Sequence, residues 1–392
     1  MNLVEILFWL CITGLFYCYV GYGLLLFIRN RLKNAFSSLE RKNTFELPAV
    51  TLVVAAYNEE TVLPEKIKNC SEIDYPPHLF NIIFVTDGST DYSKELIQQH
   101  DFITLLHQPE RRGKLAALKR AMQNVRTPVV VFSDANSMLN PGCIRAMVRH
   151  FSDEKVGGVA GEKKVLTTNR SLIGEAEGLY WKYESFMKQQ DADFNTVVGA
   201  VGELFSIRTE LFHPLDDDLI LDDFVFSIHI CLSGYKIEYE PKAFASETPS
   251  QSLAEEEKRR VRIAAGAYQA VHYLKQHLNI FKYPRLGVQY FSGRLLRWVA
   301  CPILIILALV TNIGLVIDHQ GLIFYYSLVG QSAFYLLALT GWICVVTGRR
   351  MGILAVPFYF VFMNLCLVKG FFNYVRGRQT ILWERSMREA FE

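Results

Sequence analysis

The chain has 392 residues, 51% of them apolar, and a mean hydropathy of +0.16. That length holds one sizeable α/β domain with material to spare, and the apolar excess predicts membrane spans. A formal net charge of +2 leaves no basic surplus to neutralise a phosphate backbone, which excludes a nucleic-acid partner.

In chain order, Leu3–Ile28 is almost wholly apolar and long enough to span a bilayer, so residues 1–30 read as an N-terminal transmembrane helix. A cleaved signal peptide fits poorly. "MNLVE" has no basic residue, the apolar run is too long, and no small-residue cleavage site follows. Arg29, Arg31 and Lys33 come next and place the polar middle of the chain on the cytoplasmic side.

From about 48 to 278, short apolar runs alternate with amphipathic helices. Strands are predicted at 49–57, 81–87, 102–108 and 128–134, and helices near 59–70, 93–100 and 114–125. Continuous apolar strands with helical crossovers imply a mainly parallel sheet covered on both faces. Ligands of such sheets bind beyond the C-terminal strand ends. Those ends carry Asn58-Glu59, Asp87 and Asp134, more polar groups than core packing requires. No GxGxxG follows the first strand. GxxxxGK[ST] is also absent, because Gly113-Lys114 is followed by Leu115. A nucleotide would be held by neither route.

The stretch 283–297, with Arg285, Arg294 and Arg297 among aromatics, predicts an interfacial amphipathic helix. Three apolar segments follow, 298–317, 323–346 and 351–375, giving two or three spans over 298–375. If all four apolar segments cross, the basic tail 376–392 ends outside, against its arginine excess. The expectation is therefore a cytoplasmic tail, with the last segment lying along the interface or entering and returning. The eight cysteines form no CxxC pair and no Cys/His cluster with zinc spacing, and read as small buried hydrophobes in a reducing compartment.

Several polar motifs have chemical readings beside bland ones. Lys114 stands at a predicted helix start, where charge and amide dipoles attract phosphate, and Gly113 permits close backbone approach. A solvated charge run is the alternative. Asp134 ends a strand, and a divalent cation needs few protein ligands when phosphates and waters complete its shell. Asn136 supplies a neutral oxygen there, orients a water, or caps a helix. Asp222 and Asp223 open a helix, where the dipole favours acids in any case. Gly199, Gly202 and Glu203 read either as acceptor-side contacts or as a buried strand and turn.

The motifs "AAYNEE", "VTDGSTD", "RRGKLAAL", "FSDANS", "LDDFVFSIHI" and "KRRVRIAAG" occur in one order along one domain. Flanked by the apolar segments, the set resembles the membrane-bound family 2 glycosyltransferases, which include cellulose, hyaluronan and poly-N-acetylglucosamine synthases. The resemblance covers nearly the whole chain and implies an α/β domain of GT-A type over 48–278. That domain is Rossmann-like, with a mainly parallel mixed sheet, and cytoplasmic, with flanking transmembrane helices. It implies an inverting transfer from a nucleoside-diphosphate sugar, with UDP the expected nucleotide, to a growing polysaccharide or lipid-linked glycan. The alternative is a non-processive transfer of one sugar to a polyprenyl-linked or membrane lipid.

The same resemblance implies residue roles. Ala56, Tyr57 and Glu59 would surround base and ribose, Asp87 would contact the base, and Lys114, Arg260 and Arg262 would hold the diphosphate. Asp134, with Asn136 in place of a second acid, would hold Mg²⁺ or Mn²⁺. Asp223 would be the catalytic base, supported by Asp222. The family's QxxRW matches here only in Arg260 and Arg262, because its Gln and Trp are absent. Candidate partners beyond donor and acceptor are membrane lipids and secretion or synthase subunits.

Overall fold

The computed structural model describes residues 2–35, 46–166, 172–200, 202–378, 380 and 382. Most of the predicted basic tail lies outside the described residues. The chain divides into two compact units. One comprises Met1–Ala35, Thr167–Tyr180 and Pro249–Gln379, and the other Phe36–Leu166, Trp181–Thr248 and Thr380–Glu392.

Helix α1 (Leu3–Phe16) runs through a π-helical turn into α2 (Tyr22–Ala35). Then come β1 (Val50–Ala56), α3 (Leu63–Ser71), β2 (Phe80–Asp87), α4 (Ser93–Gln98) and β3 (Thr104–Gln108). They are followed by α5 (Lys114–Met122), β4 (Val129–Asp134), β5 (Met138–Leu139), α6 (Cys143–Val148) and β6 (Val156–Val165). The long helix α7 (Leu172–Phe194) leads to β7 (Phe205–Arg208), α8 (Asp222–Leu232) and β8 (Lys236–Glu247). The remainder is helical: α9 (Leu253–His277), α10 (Pro284–Tyr290), α11 (Cys301–Ile317), α12 (Leu322–Val346) and α13 (Ala355–Val375).

The second unit is built on one sheet of order β3-β2-β1-β4-β7-β6-β8-β5. Strands β3, β2, β1 and β4 are mutually parallel, whereas β7 runs antiparallel to both β4 and β6. All four predicted strands are present and parallel. Strand β1, "VTLVVAA", is buried along its whole length, the pattern of a central strand covered on both faces. Its core includes Leu52, Val54, Phe84, Val131, Ile144 and Leu204.

Helix α3 begins four residues later than predicted. Residues 58–60 are tied to the loop after β2, and Asn58 takes a left-handed conformation (φ 52°) that no helix start uses.

In the first unit, four helices among the described residues are long and apolar enough to cross a membrane: Leu3–Lys33, Pro284–Ile317, Leu322–Val346 and Gly352–Val375. Phe8 of α1, Leu315 of α11 and Phe324 of α12 form one buried cluster, with Phe8 and Phe324 edge to face at 5.4 Å. Two predictions change. The stretch 283–297 is the first part of one continuous helix ending at Ile317, because ten residues (Phe291–Ala300) carry the turn in π-helical geometry without a break. The last apolar segment does not enter and return; a short 3-10 turn leads into the single helix α13.

Candidate active site

The parallel strands that carry the motif residues end level with one another. Ala56 on β1 pairs with Thr86 on β2, and Ala55 with Asp134 on β4. Their loops are therefore neighbours at the C-terminal edge of the sheet. The first two loops are stitched together. The Asn58 N–H donates to Ser89 Oγ at 3.1 Å, and the Thr90 N–H to Asn58 Oδ1 at 2.8 Å. The Glu60 N–H donates to Asp91 Oδ2 at 3.0 Å, and the Tyr92 N–H to Glu60 Oε2 at 3.1 Å. This loop pair presents Tyr57, with the Arg111 guanidinium 3.7 Å from its ring centroid, an arrangement that suits a flat ligand.

Ala56 and Asp87 are both buried at this edge. Ala56 is 1% exposed and packs in the core, since it is the last inward residue of β1. Asp87 is fully buried, and its two oxygens accept the N–H groups of Arg112 (2.9 Å) and Gly113 (2.8 Å). Its carboxylate thereby holds the loop before α5. Glu59 is half-buried, its N–H held by Ser93 Oγ at 3.0 Å.

That loop delivers Lys114 as the first residue of α5, after Gly113 at φ 98°. The Lys114 ammonium lies 2.5 Å from Asp134 Oδ1, and both side chains are less than one-third exposed. Asp222 and Asp223 are the first residues of α8. With Lys114 and Gly202 they line a cleft walled by Leu115, Leu118 and the rings of Phe132, Phe205, Phe212 and Phe226. A Cβ at Gly202 would come 3.0 Å from Lys114 Nζ and 3.3 Å from Asp223 Oδ2. A side chain at position 202 would therefore crowd the charged centre.

Charge in this cleft is unbalanced, with three carboxylates around one ammonium. Burial, then the Asp222 carboxylate, push the Asp223 carboxyl up to about 7, against the pull of Lys114. Burial also raises Asp134, opposed by Lys114 and reinforced by Glu203. For Lys114, burial disfavours the charge, but Asp134, Asp222 and Asp223 outweigh it and hold the ammonium protonated.

Gly199 and Glu203 are both engaged within the domain. Gly199 stands at φ 90°, and a Cβ there would come 2.4 Å from the Phe224 ring, so it seats the start of α8. Glu203 is ion-paired to the buried Lys163, whose ammonium also lies 2.6 Å from Glu247. Lys163, Glu247 and the fully buried Lys66 were not singled out in the sequence. Their partners lie 40 to 110 residues away, beyond any spacing rule.

Arg260 and Arg262 stand on α9, in the helical unit. Arg260 is 4% exposed, its Nε 2.6 Å from Glu256 Oε1 and a second nitrogen 3.4 Å from Glu177 Oε1. Arg259 joins the same two acids. Burial raises Glu256, but Arg259 and Arg260 more than reverse it and hold the carboxyl well below its usual range. The Arg260 guanidinium thus pairs with two buried acids of its own unit. Arg262 is half-buried on the same helix.

Among the described residues no group of three or more His, Cys, Asp and Glu side chains could hold a metal ion by itself. A divalent cation nevertheless fits Asp134. One of its oxygens already faces an ammonium, and the surrounding acids leave the cleft short of positive charge. Such an ion would complete its shell with substrate oxygens and water.

A family model described as glycosyl transferase family 2 matches residues 51–215. The chain is 29% identical over 251 residues to a poly-beta-1,6-N-acetyl-D-glucosamine synthase of Staphylococcus aureus, a match covering 60% of this chain and 59% of that protein. It is 25% identical over 264 residues to the probable glycosyltransferase YdaM of Bacillus subtilis, covering 61% and 60%. The chain thus spans about three-fifths of the length of these curated relatives. Among solved structures, the mannosyltransferase PcManGT from Pyrobaculum calidifontis, in complex with GDP-Man and Mn²⁺, superposes with a TM-score of 0.73 at 20% identity. That superposition covers 95% of this chain and all of that one. The sheet order, the strand-end motifs and these similarities agree: residues 51–215 match the glycosyl transferase family 2 model, within a mixed, largely parallel sheet of GT-A type flanked by apolar helices.

Proposed function

We propose that the chain moves a sugar from a nucleoside-diphosphate sugar, with UDP the expected nucleotide, to a hydroxyl of a growing polysaccharide or lipid-linked glycan. The observation that carries this reading is the Lys114 ammonium, which lines one cleft with Asp222 and Asp223 and meets the Asp134 carboxylate at 2.5 Å. Asp223, poised near neutral pH, takes the proton of the acceptor hydroxyl as that oxygen bonds to the anomeric carbon. The bond from that carbon to the diphosphate breaks on the opposite face, so the configuration inverts and the nucleoside diphosphate leaves. Lys114 offsets the charge that develops on the departing diphosphate. A divalent cation held by Asp134, with Asn136 in the same turn, would supply further neutralisation of that charge. Tyr57 and Arg111 offer a surface for the base.

The test is a screen of nucleotide sugars with purified protein, with and without Mg²⁺ or Mn²⁺, reading released nucleotide. Release from one donor that depends on added cation and disappears in Asp223→Asn is the expected result. No release from any donor in either condition would sink the reading. The product decides the acceptor: a polymer ladder supports chain synthesis, and one product extracted into organic solvent supports single transfer to a lipid.

For topology, we propose an outside N-terminus, a cytoplasmic catalytic unit, and α13 lying at the cytoplasmic interface. Support comes from the commitment of α13 to charged α9. Tyr359 donates to Glu256 at 2.9 Å, Lys369 lies 2.6 Å from Glu257, and Gly370 lets Ala264 approach closely. Charged partners along a helix are expensive within hydrocarbon. A cysteine introduced by Arg378→Cys should react with an impermeant maleimide only after cells are permeabilised; labelling of intact cells would overturn this orientation.

A further inference from the structure

Beneath the strand end that carries Asp134 lies a buried polar network that the chemistry above does not touch. Lys66 of α3 is fully buried. Its ammonium donates to Ser133 Oγ at 2.9 Å and to the carbonyl of Ser137. These two serines bracket Asp134, Ala135 and Asn136, and the Ser137 N–H closes the turn on the Asp134 carbonyl at 3.3 Å. On its other side the turn is also anchored. Ser137 Oγ donates to Glu247 at 2.5 Å, and Glu247 faces Lys163 at 2.6 Å.

A buried ammonium carries a desolvation penalty of roughly several kcal/mol, which an apolar side chain of the same length would avoid. What the lysine adds is geometric. Two charge-assisted donors reach across the base of one turn and set the distance between its two ends. The carboxylate at the start of that turn meets the Lys114 ammonium, outside the network of Lys66.

We propose that Lys66 is a positioning residue for the cation site: it holds the 133–137 turn from within the core so that Asp134 and Asn136 keep a fixed aim. The proposal rests on reading Asp134 as the carboxylate that holds the cation. A purely structural lysine would affect the melting temperature alone. A positioning lysine affects cation affinity in protein that remains folded.

The experiment titrates Mn²⁺ into purified full-length protein with UDP present, reading free Mn²⁺ by electron paramagnetic resonance, alongside far-UV circular dichroism. Wild type and Asp134→Ala set the scale. Equal binding by these two overturns both the cation reading and the inference built on it. With that scale in place, Lys66→Met is expected to keep its circular dichroism and to bind Mn²⁺ about tenfold or more weakly, as outer-shell changes do. A folded Lys66→Met with the affinity of wild type overturns the inference while leaving the cation reading intact. If Lys66→Met does not fold, Ser133→Ala carries the test, because it removes one acceptor and no charge. Binding weakened by about threefold supports the inference, and unchanged binding overturns it.

Discussion

The Lys114 ammonium and the Asp134 carboxylate meet at 2.5 Å, joining the start of α5 to the end of β4. The contact is a consequence of the parallel register, which brings the loop after β3 beside the end of β4 through β2 and β1. It also poses a competition, because a diphosphate with its cation would draw the two partners apart and bind each.

Removing that ammonium should therefore affect donor use. Lys114→Gln is expected to lower kcat/KM for the nucleotide sugar by about a hundredfold or more, with a raised donor KM. Steady-state release of nucleotide at saturating cation checks this. A variant with unchanged donor KM would remove Lys114 from the diphosphate site.

The pH dependence follows from Asp223. Transfer needs its carboxylate, so kcat/KM should fall as pH is lowered through about 7. The same shift sets stability. The folded protein holds this proton more tightly than the unfolded chain, so the contribution is fully present below the ordinary carboxylate range. It is lost as pH rises through about 7. Asp223→Asn should thus be inactive at every pH. It should also melt above wild type at pH near 8, with the difference shrinking towards pH near 4.

Two glycines in one loop should separate activity from folding. Gly202→Ala puts a methyl 3.0 Å from Lys114 Nζ, the mobile end of a long side chain, so the fold tolerates it. Activity should drop about tenfold or more from misplacement of the charged centre. Gly199→Ala meets the Phe224 ring at 2.4 Å with φ at 90°, so it should cost about 2 kcal/mol or more of stability. Melting curves beside nucleotide release distinguish the two.

The α9 arginine cluster makes the opposite prediction from a diphosphate clamp. Arg260→Ala leaves Glu256 and Glu177 buried without that partner, which should destabilise the protein by roughly 3–5 kcal/mol. Donor KM of the remaining folded protein should be unchanged. A raised donor KM at unchanged melting temperature would restore the clamp.

What was legible in the sequence follows from how local each signal is. The runs that became β1 to β4 are continuous and apolar because both sheet faces are covered, and such runs need no tertiary information to recognise. Of the four later strands, only the stretch around β7 carried a strand reading, as one of two alternatives. Strand β6 has three glycines among its ten residues, and Gly157 must be one because Ile230 would lie 2.6 Å from a Cβ. That constraint comes from packing and depresses strand propensity. Strand β8 alternates but is interrupted at Glu240 to Lys242, where three residues face outward in part or fully.

By itself, then, the sequence determined the order of motifs, the apolar spans, and the candidate carboxylates Asp134, Asp222 and Asp223, because strand ends and helix starts are local events. Only the tertiary structure decided which charged residues serve the cleft and which serve the core. Asp87, Glu203 and Arg260 are as polar as any catalytic group, yet each is paired with a group the linear chain keeps far away: the Gly113 amide, Lys163 and Glu177 respectively. Lys66 shows the same rule from the other side. A lysine in an amphipathic helix reads as solvated until folding places two oxygens, from residues 133 and 137, at its end.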